Sequence, residues 1–127
     1  MPRYVILRHD PPPHGDFRRH WDLMLEIGEV LKTWALAEEP CVARAIAADR
    51  LADHRVAYLE YEGPVSGGRG HVTRWDWGTY VLVASNDHEW QVRIQGERFD
   101  GTTILRCPEP ATQRWTVEFL AGDVTSC

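Results

Sequence analysis

Two residues apart in the run His20-Trp21-Asp22-Leu23-Met24-Leu25-Glu26-Ile27 stand an imidazole and a carboxylate, and a further imidazole, His9, closes the run Tyr4-Val5-Ile6-Leu7-Arg8. Alternate side chains of an extended strand share a face, so His20 and Asp22 project side by side with Cα atoms roughly 6 to 7 Å apart. That spacing can chelate one divalent cation, and mixed nitrogen and oxygen donors suit manganese or zinc. At least one more protein ligand is needed, and His9 at the end of a neighbouring strand is the best placed. The competing reading is a solvated polar face with a cross-strand hydrogen bond. His14 and Asp16 show how readily the same spacing arises, in a glycine- and proline-flanked loop with no strand to aim it.

The elements that must position these groups are strands. Trp21, Leu23, Leu25 and Ile27 alternate with His20, Asp22, Met24 and Glu26, so the first set belongs in a core. Short alternating runs broken by Gly, Pro and Asx turns recur along the chain, the signature of an antiparallel barrel or sandwich. Strands are expected over residues 4–9, 20–27, 30–36, 75–84, 90–95, 102–106 and 115–120, with a hairpin turn at Gly28-Glu29 whose glycine takes positive φ. Pro11-Pro12-Pro13 must be an exposed connection, because proline cannot donate to a ladder. Pro40 is expected to open one short amphipathic helix through Val42, Ala45, Ile46 and Ala48, ending near Arg50. The four glycines of residues 63–70 lack the Gly-Lys-Ser/Thr of a phosphate-cradling loop.

At 127 residues, with 43% apolar and 26% charged side chains, the chain reads as one domain over residues 1–127 that needs no disulfide or metal merely to fold. A net charge of −5 argues against electrostatic coating of duplex DNA, so any nucleic-acid contact must be local. Lys32 is the sole lysine; every other cation is an arginine. Cys41, Cys107 and Cys127 are an odd count without C-x-x-C spacing, so neither a disulfide framework nor a zinc knuckle is expected, and a reducing cytoplasm is the natural home. No apolar run approaches the roughly 18 residues that a membrane span needs.

Taken in order, these segments resemble the phosphoesterase domain of bacterial LigD, the multifunctional ligase of non-homologous end joining, and its stand-alone relatives. The resemblance is carried by Arg8-His9, by His20-Trp21-Asp22-Leu23-Met24-Leu25-Glu26, by Val30-Leu31-Lys32-Thr33-Trp34-Ala35-Leu36, and by Ala52-Asp53-His54-Arg55-Val56-Ala57-Tyr58. Tyr61-Glu62-Gly63, Trp75-Asp76-Trp77-Gly78-Thr79-Tyr80, Gly96-Glu97-Arg98-Phe99-Asp100-Gly101 and Trp115 continue it. It implies a compact antiparallel β-barrel with one or two short flanking helices and a Mn²⁺ site, with Zn²⁺ or another divalent ion as substitutes. The implied activity trims 3′ ends of DNA or RNA, removing a terminal ribonucleoside and then the 3′-phosphate, with a DNA ligase or end-joining proteins as partners and no membrane. By position, His9, His20 and Asp22 would be metal ligands, and His54 and Tyr58 would contact the scissile phosphate. Ligand histidines must be neutral, so activity is expected to fall below about pH 6.5.

From the residues alone, His54 and Tyr58 converge only if a helical turn or tight bend lies between them; a fully extended strand would separate them by roughly 13 Å. Three cations of the family pattern are replaced, by Met24, Glu38 and Ile46, and the segment between His9 and His20 is five residues longer than the family spacing. Arg55 and Arg69 are the candidate replacements at phosphate. Two functions remain open: a phosphoesterase with a rebuilt anion pocket, or a metal-binding relative that recognises nucleic-acid ends or a repair partner without catalysis. A purely structural or small-ligand barrel would instead show an apolar cavity, with His20 and Asp22 facing bulk solvent.

Overall fold

The computed structural model describes residues 1–13 and 17–121. His14, Gly15 and Asp16, and with them the second His-x-Asp pair, lie outside the described residues, as does Cys127. Among the described residues nine strands follow in chain order: β1 (Arg3–Asp10), β2 (His20–Ile27), β3 (Val30–Leu36), β4 (Ala45–Arg55), β5 (Gly63–Pro64), β6 (His71–Ser85), β7 (Glu89–Gly96), β8 (Asp100–Arg106) and β9 (Arg114–Ala121). They hydrogen-bond in the order β1-β2-β3-β4-β9-β8-β7-β6, and β1 pairs back onto β6, so eight antiparallel strands close a barrel. Closure removes the free edges that an open sheet would present. The two-residue β5 adds to the start of β6.

The alternation in the sequence is the alternation of the barrel wall. Tyr4, Ile6, Leu23, Leu25, Trp34 and Leu36 point inward into one core with Val92, Ile94, Val117 and Phe119. Trp34 lies at its centre, with Trp90 and Trp115 at ring-centroid distances of 5.3 and 5.7 Å. Gly28, at φ +60°, makes the tight β2–β3 turn as its sequence requires.

Residues 40–50 correct the expectation of a helix. Ala45–Arg55 is a strand whose alternate residues Ile46 and Ala48 enter the core, while Ala45 to Asp49 pair with β9. Three alanines favour a helix locally, but the barrel closes only if a strand bridges β3 and β9, and tertiary pairing overrides propensity. Among the described residues the helices are two 3₁₀ turns, Val56–Leu59 and Pro110–Thr112.

The outer face of β1–β3 is not solvated either. Val5, Leu7, Met24 and Leu31 face outward beneath Leu59, Val65 and Val72, a second apolar cluster covered by the connection from β4 to β6. The apolar residues of β1 therefore form a continuous run, because both faces of that strand are buried.

A buried carboxylate in the segment Trp75-Asp76-Trp77 ties the barrel together. Asp76, fully buried, accepts the backbone N–H groups of Trp77, Glu97, Arg98 and Phe99 at 2.8 to 3.2 Å and the hydroxyl of Tyr4. A Cβ on Gly96 would lie 2.3 Å from an Asp76 carboxylate oxygen, so only glycine lets β7 pass this close. Burial, together with the neighbouring Asp76 charge, pushes the Tyr4 phenol far above its ordinary range, which keeps it a hydrogen-bond donor.

Candidate metal centre

The antiparallel pairing of β1 and β2 sets His9 opposite His20 and Leu7 opposite Asp22. All three polar side chains share the outer face, where one donor atom from each lies within 4.8 Å of the others. Asp22 is 3% exposed, so this carboxylate does not face bulk solvent as a structural barrel would allow. Its Oδ1 lies 2.7 Å from His20 Nδ1 and its Oδ2 lies 3.5 Å from His9 Nδ1. Two imidazoles and one carboxylate on a rigid hairpin form a donor set that could hold a divalent cation, with sites left open for water or substrate.

The surroundings orient the ligands. His9 Nε2 lies 2.8 Å from the Arg69 carbonyl, so the tautomer that donates there leaves the Nδ1 lone pair facing Asp22. Phe17 packs against both imidazoles, at 5.0 Å from His9 and 5.4 Å from His20, and shields one side of the site. Sequence reasoning missed Phe17, which sits in an irregular segment with no periodic signal.

The charges of the cluster move its titrations. Hydrogen bonding to Asp22 raises His9 above the usual imidazole value, against the opposing effect of burial. For Asp22 burial acts upward, but hydrogen bonds and charge from His20 and His9 together outweigh it and hold the carboxyl below its usual range.

His54 and Tyr58 do converge. The register slips between β3 and β4, so that Thr33 faces Leu51 but Leu31 faces His54. This bulge moves His54 from the inward parity of Ile46, Ala48 and Arg50 onto the outer face. The 3₁₀ turn Val56–Leu59 then brings Tyr58 to 5.7 Å from His54, ring to ring. His54 Nδ1 lies 2.9 Å from the Ala52 carbonyl, and the tautomer that donates there leaves Nε2 as an acceptor. Along the outer face the Glu26–Leu31–His54 row is four residues from the Asp22–Ala35–Asp49 row. At about 3.3 Å per residue and 4.8 Å per strand, His54 and Asp22 stand on the order of 15 Å apart at Cα. Only a ligand between them could touch both.

Met24 and Thr33 occupy that diagonal and are buried, Met24 at 1% exposure. Ile46 points into the barrel core, so it subtracts no charge from the outer face, and Glu38 is an exposed partner of Arg44 at 3.3 Å. The guanidinium of Arg69 is turned to Ser66, 2.7 Å from its carbonyl and 3.2 Å from its hydroxyl, while its own carbonyl serves His9. Arg55 is exposed and, with Tyr58, Tyr61 and Ser66, lines a cleft of about 200 Å³. On the other side of the triad, beside His20, lies a larger cleft of about 430 Å³ walled by Arg18, Arg19 and Arg114.

An eight-stranded antiparallel barrel with two histidines and a buried aspartate gathered on its outer face defines a β-barrel protein with a candidate divalent-cation site. The family model described as the DNA Ligase D 3'-phosphoesterase domain matches residues 12–106, and the chain belongs to that family. The match contains His20, Asp22, His54 and Tyr58 and begins after His9. The chain is 34% identical over 84 residues to the multifunctional non-homologous end joining protein LigD of Pseudomonas aeruginosa, an overlap of 62% of this chain and 9% of that protein. The chain thus matches less than a tenth of that relative's length. Among the described residues no helix is long and apolar enough to cross a membrane.

Proposed function

We propose that residues 1–127 act as one domain, a Mn²⁺-dependent phosphoesterase that removes 3′-phosphates and 3′-terminal ribonucleosides from DNA or RNA ends, in the context of a DNA ligase or other end-joining proteins. The observation that carries this reading is the gathering of His9, His20 and Asp22, within 4.8 Å, on the outer face of a barrel of this family. His9 Nδ1, a His20 ring nitrogen and an Asp22 oxygen would hold the ion. When bound, a divalent cation polarises phosphoryl oxygens and acidifies a coordinated water.

The remaining work falls to the chain. The Arg69 carbonyl fixes the His9 ring, and Phe17 excludes water from one side of the triad. His54, anchored at Nδ1, presents Nε2 to accept a proton, or to donate one once protonated, to a phosphate oxygen or leaving group. Tyr58 adds a hydroxyl to the same phosphate. A 3′-phosphate would have to bridge the triad and His54 over the apolar roof that covers Met24 to satisfy both.

One observation favours a second reading, a metal-binding relative that recognises ends without cleaving them. The diagonal between the triad and His54 carries buried Met24 in place of the family's arginine, so an expected charge-assisted contact to phosphate is missing. Release of phosphate from a 3′-phosphorylated primer in Mn²⁺, abolished by His20→Ala, supports the enzyme. Intact end binding with no release from 3′-phosphate or 3′-ribonucleotide ends would leave the binding module.

A further inference from the structure

The family pattern's missing cations have a counterpart elsewhere on the surface. The cleft of about 430 Å³ that begins at His20 falls within the size range of small-molecule sites, roughly 300 to 1,000 Å³. Its floor is small and apolar: Ala35 stands between Asp22 and Asp49 in the strand register, and Ala37 donates its N–H to Ala47 across the β3–β4 gap. Its walls are cationic. Arg18 and Arg19 come from the long connection between His9 and His20, and Arg114 comes from the start of β9. Asp49, opposite Arg114, is the one carboxylate among the described residues that line the cleft.

The partners of these cations matter. The guanidinium groups of Arg18 and Arg114 make no ion pair among the described residues, whereas Arg19 is held by Asp10. By contrast Arg3, Arg8, Arg44, Arg93 and Arg106 each face a carboxylate. On a chain of net charge −5, two guanidiniums without a carboxylate partner among the described residues, beside a third, along a trough that ends at the candidate metal ligands, are a local departure from the acidic whole. Guanidinium forks match phosphate oxygens, and an alanine floor leaves room for the sugars between them.

We propose that this cleft is the track for a single nucleic-acid strand: Arg18, Arg19 and Arg114 hold the phosphodiester groups preceding the 3′ end while the end itself reaches His20 and Asp22. The inference rests on the reading of the triad as the site acting on that end, and it assigns the longer His9–His20 connection the task of supplying strand-binding cations. A duplex would require a wide basic face; a single strand requires only a few aimed contacts.

Binding of a fluorescent, 3′-phosphorylated single-stranded oligonucleotide to the whole metal-free chain, followed by anisotropy at several salt concentrations, tests this without any need for turnover. Three phosphate contacts to a single strand predict a slope of log K against log salt near −2, at about −0.7 per contact. The Arg18→Ala/Arg114→Ala pair should bring the slope to about −0.7 and weaken low-salt binding on the order of tenfold or more. Arg114→Lys should retain the slope, and Arg93→Ala, across the barrel, should leave binding unchanged. An unaltered slope and affinity in the double variant overturns the track. So does competition by polyglutamate as effective as that of an unlabelled oligonucleotide of equal charge. A chain that binds the strand through these arginines yet releases no phosphate in Mn²⁺ keeps the track and loses the enzyme reading; release that survives with an unaltered slope does the reverse.

Discussion

The backbone carbonyl of Arg69 lies 2.8 Å from His9 Nε2, so a glycine-rich loop that carries no ligand of its own sets the tautomer of one. The loop reaches His9 because Gly70, at φ +90°, lets it pass over β1: a Cβ there would lie 2.0 Å from the Asp10 carbonyl oxygen. Gly70→Ala must therefore push the loop away. Outer partners of metal-bound histidines contribute about 10- to 100-fold in affinity, so the variant should bind Mn²⁺ about tenfold more weakly while remaining folded. Isothermal titration calorimetry beside circular dichroism checks both; unchanged affinity in a folded variant would remove the loop from the site.

Removing a ligand should do more than loosen the site. A ligand that binds only the folded chain stabilises it by about 2.7 kcal/mol at a hundred times Kd, worth roughly 4 °C per kcal/mol for a domain of this size. Saturating Mn²⁺ should thus raise the wild-type Tm by about 10 °C, and His20→Ala or Asp22→Asn should abolish the shift. Differential scanning fluorimetry with and without the ion reads it directly.

The pH dependence of that shift has a defined sign. The folded pKa of His9 is raised, so its contribution to metal-free stability is fully present below about pH 6.5 and is lost as pH rises through the folded value. The folded pKa of Asp22 is lowered, so its contribution is present above about pH 3.9 and is lost as pH falls through the folded value. A cation needs the His9 lone pair that the proton occupies, so metal affinity rises as pH passes upward through the same raised pKa. The Mn²⁺-induced increase in Tm should grow from pH 6 to pH 8, and as pH is lowered activity should already start to fall before pH 6.5 is reached, because the raised His9 pKa brings its protonation in earlier. A metal shift that is flat across this range would show that His9 is not a ligand.

Asp76 supports a different expectation, because its partners belong to the barrel rather than to the triad. Asp76→Ala would leave four backbone N–H groups and the Tyr4 hydroxyl without their acceptor, and a buried unsatisfied donor costs about 1 to 3 kcal/mol. A loss of at least 3 kcal/mol in urea unfolding, with Mn²⁺ affinity unchanged under folding conditions, would separate this structural motif from the functional one.

Strand alternation made most of the barrel legible in the sequence, including the side-by-side projection of His20 and Asp22 and the Gly28 turn. What was not legible depended on pairing between distant segments. The alanines around Ile46 carry helix propensity, and only β9 turns them into a strand. The bulge that swings His54 outward exists because β3 and β4 differ by a residue in their pairing, which the β4 sequence alone does not display. Nor could the periodicity of β2 reveal that its outer face has a roof, since Leu59 and Val65 lie more than thirty residues away. The covering segment changes the meaning of Met24 from an exposed replacement to a core residue.

That change can be tested by restoring the arginine of the family pattern. Met24 is packed among Val5, Leu7, Leu31, Leu59, Val65 and Val72, and the carboxylates that flank it on the same strand face are already engaged, Asp22 by His20 and His9 and Glu26 by Arg3. An unpaired guanidinium placed there loses its hydration without compensation and overfills a packed layer, which costs several kcal/mol. Met24→Arg should therefore lower Tm by roughly 10 °C or more, and should gain no affinity for a 3′-phosphorylated oligonucleotide. The same substitution made together with Leu59→Ala and Val65→Ala, which thin the roof, should bind phosphate better than the roof-thinned chain alone. Stronger phosphate binding or faster release by the single variant at unchanged Tm would mean that the outer cluster opens readily, and that the position still belongs to the anion site.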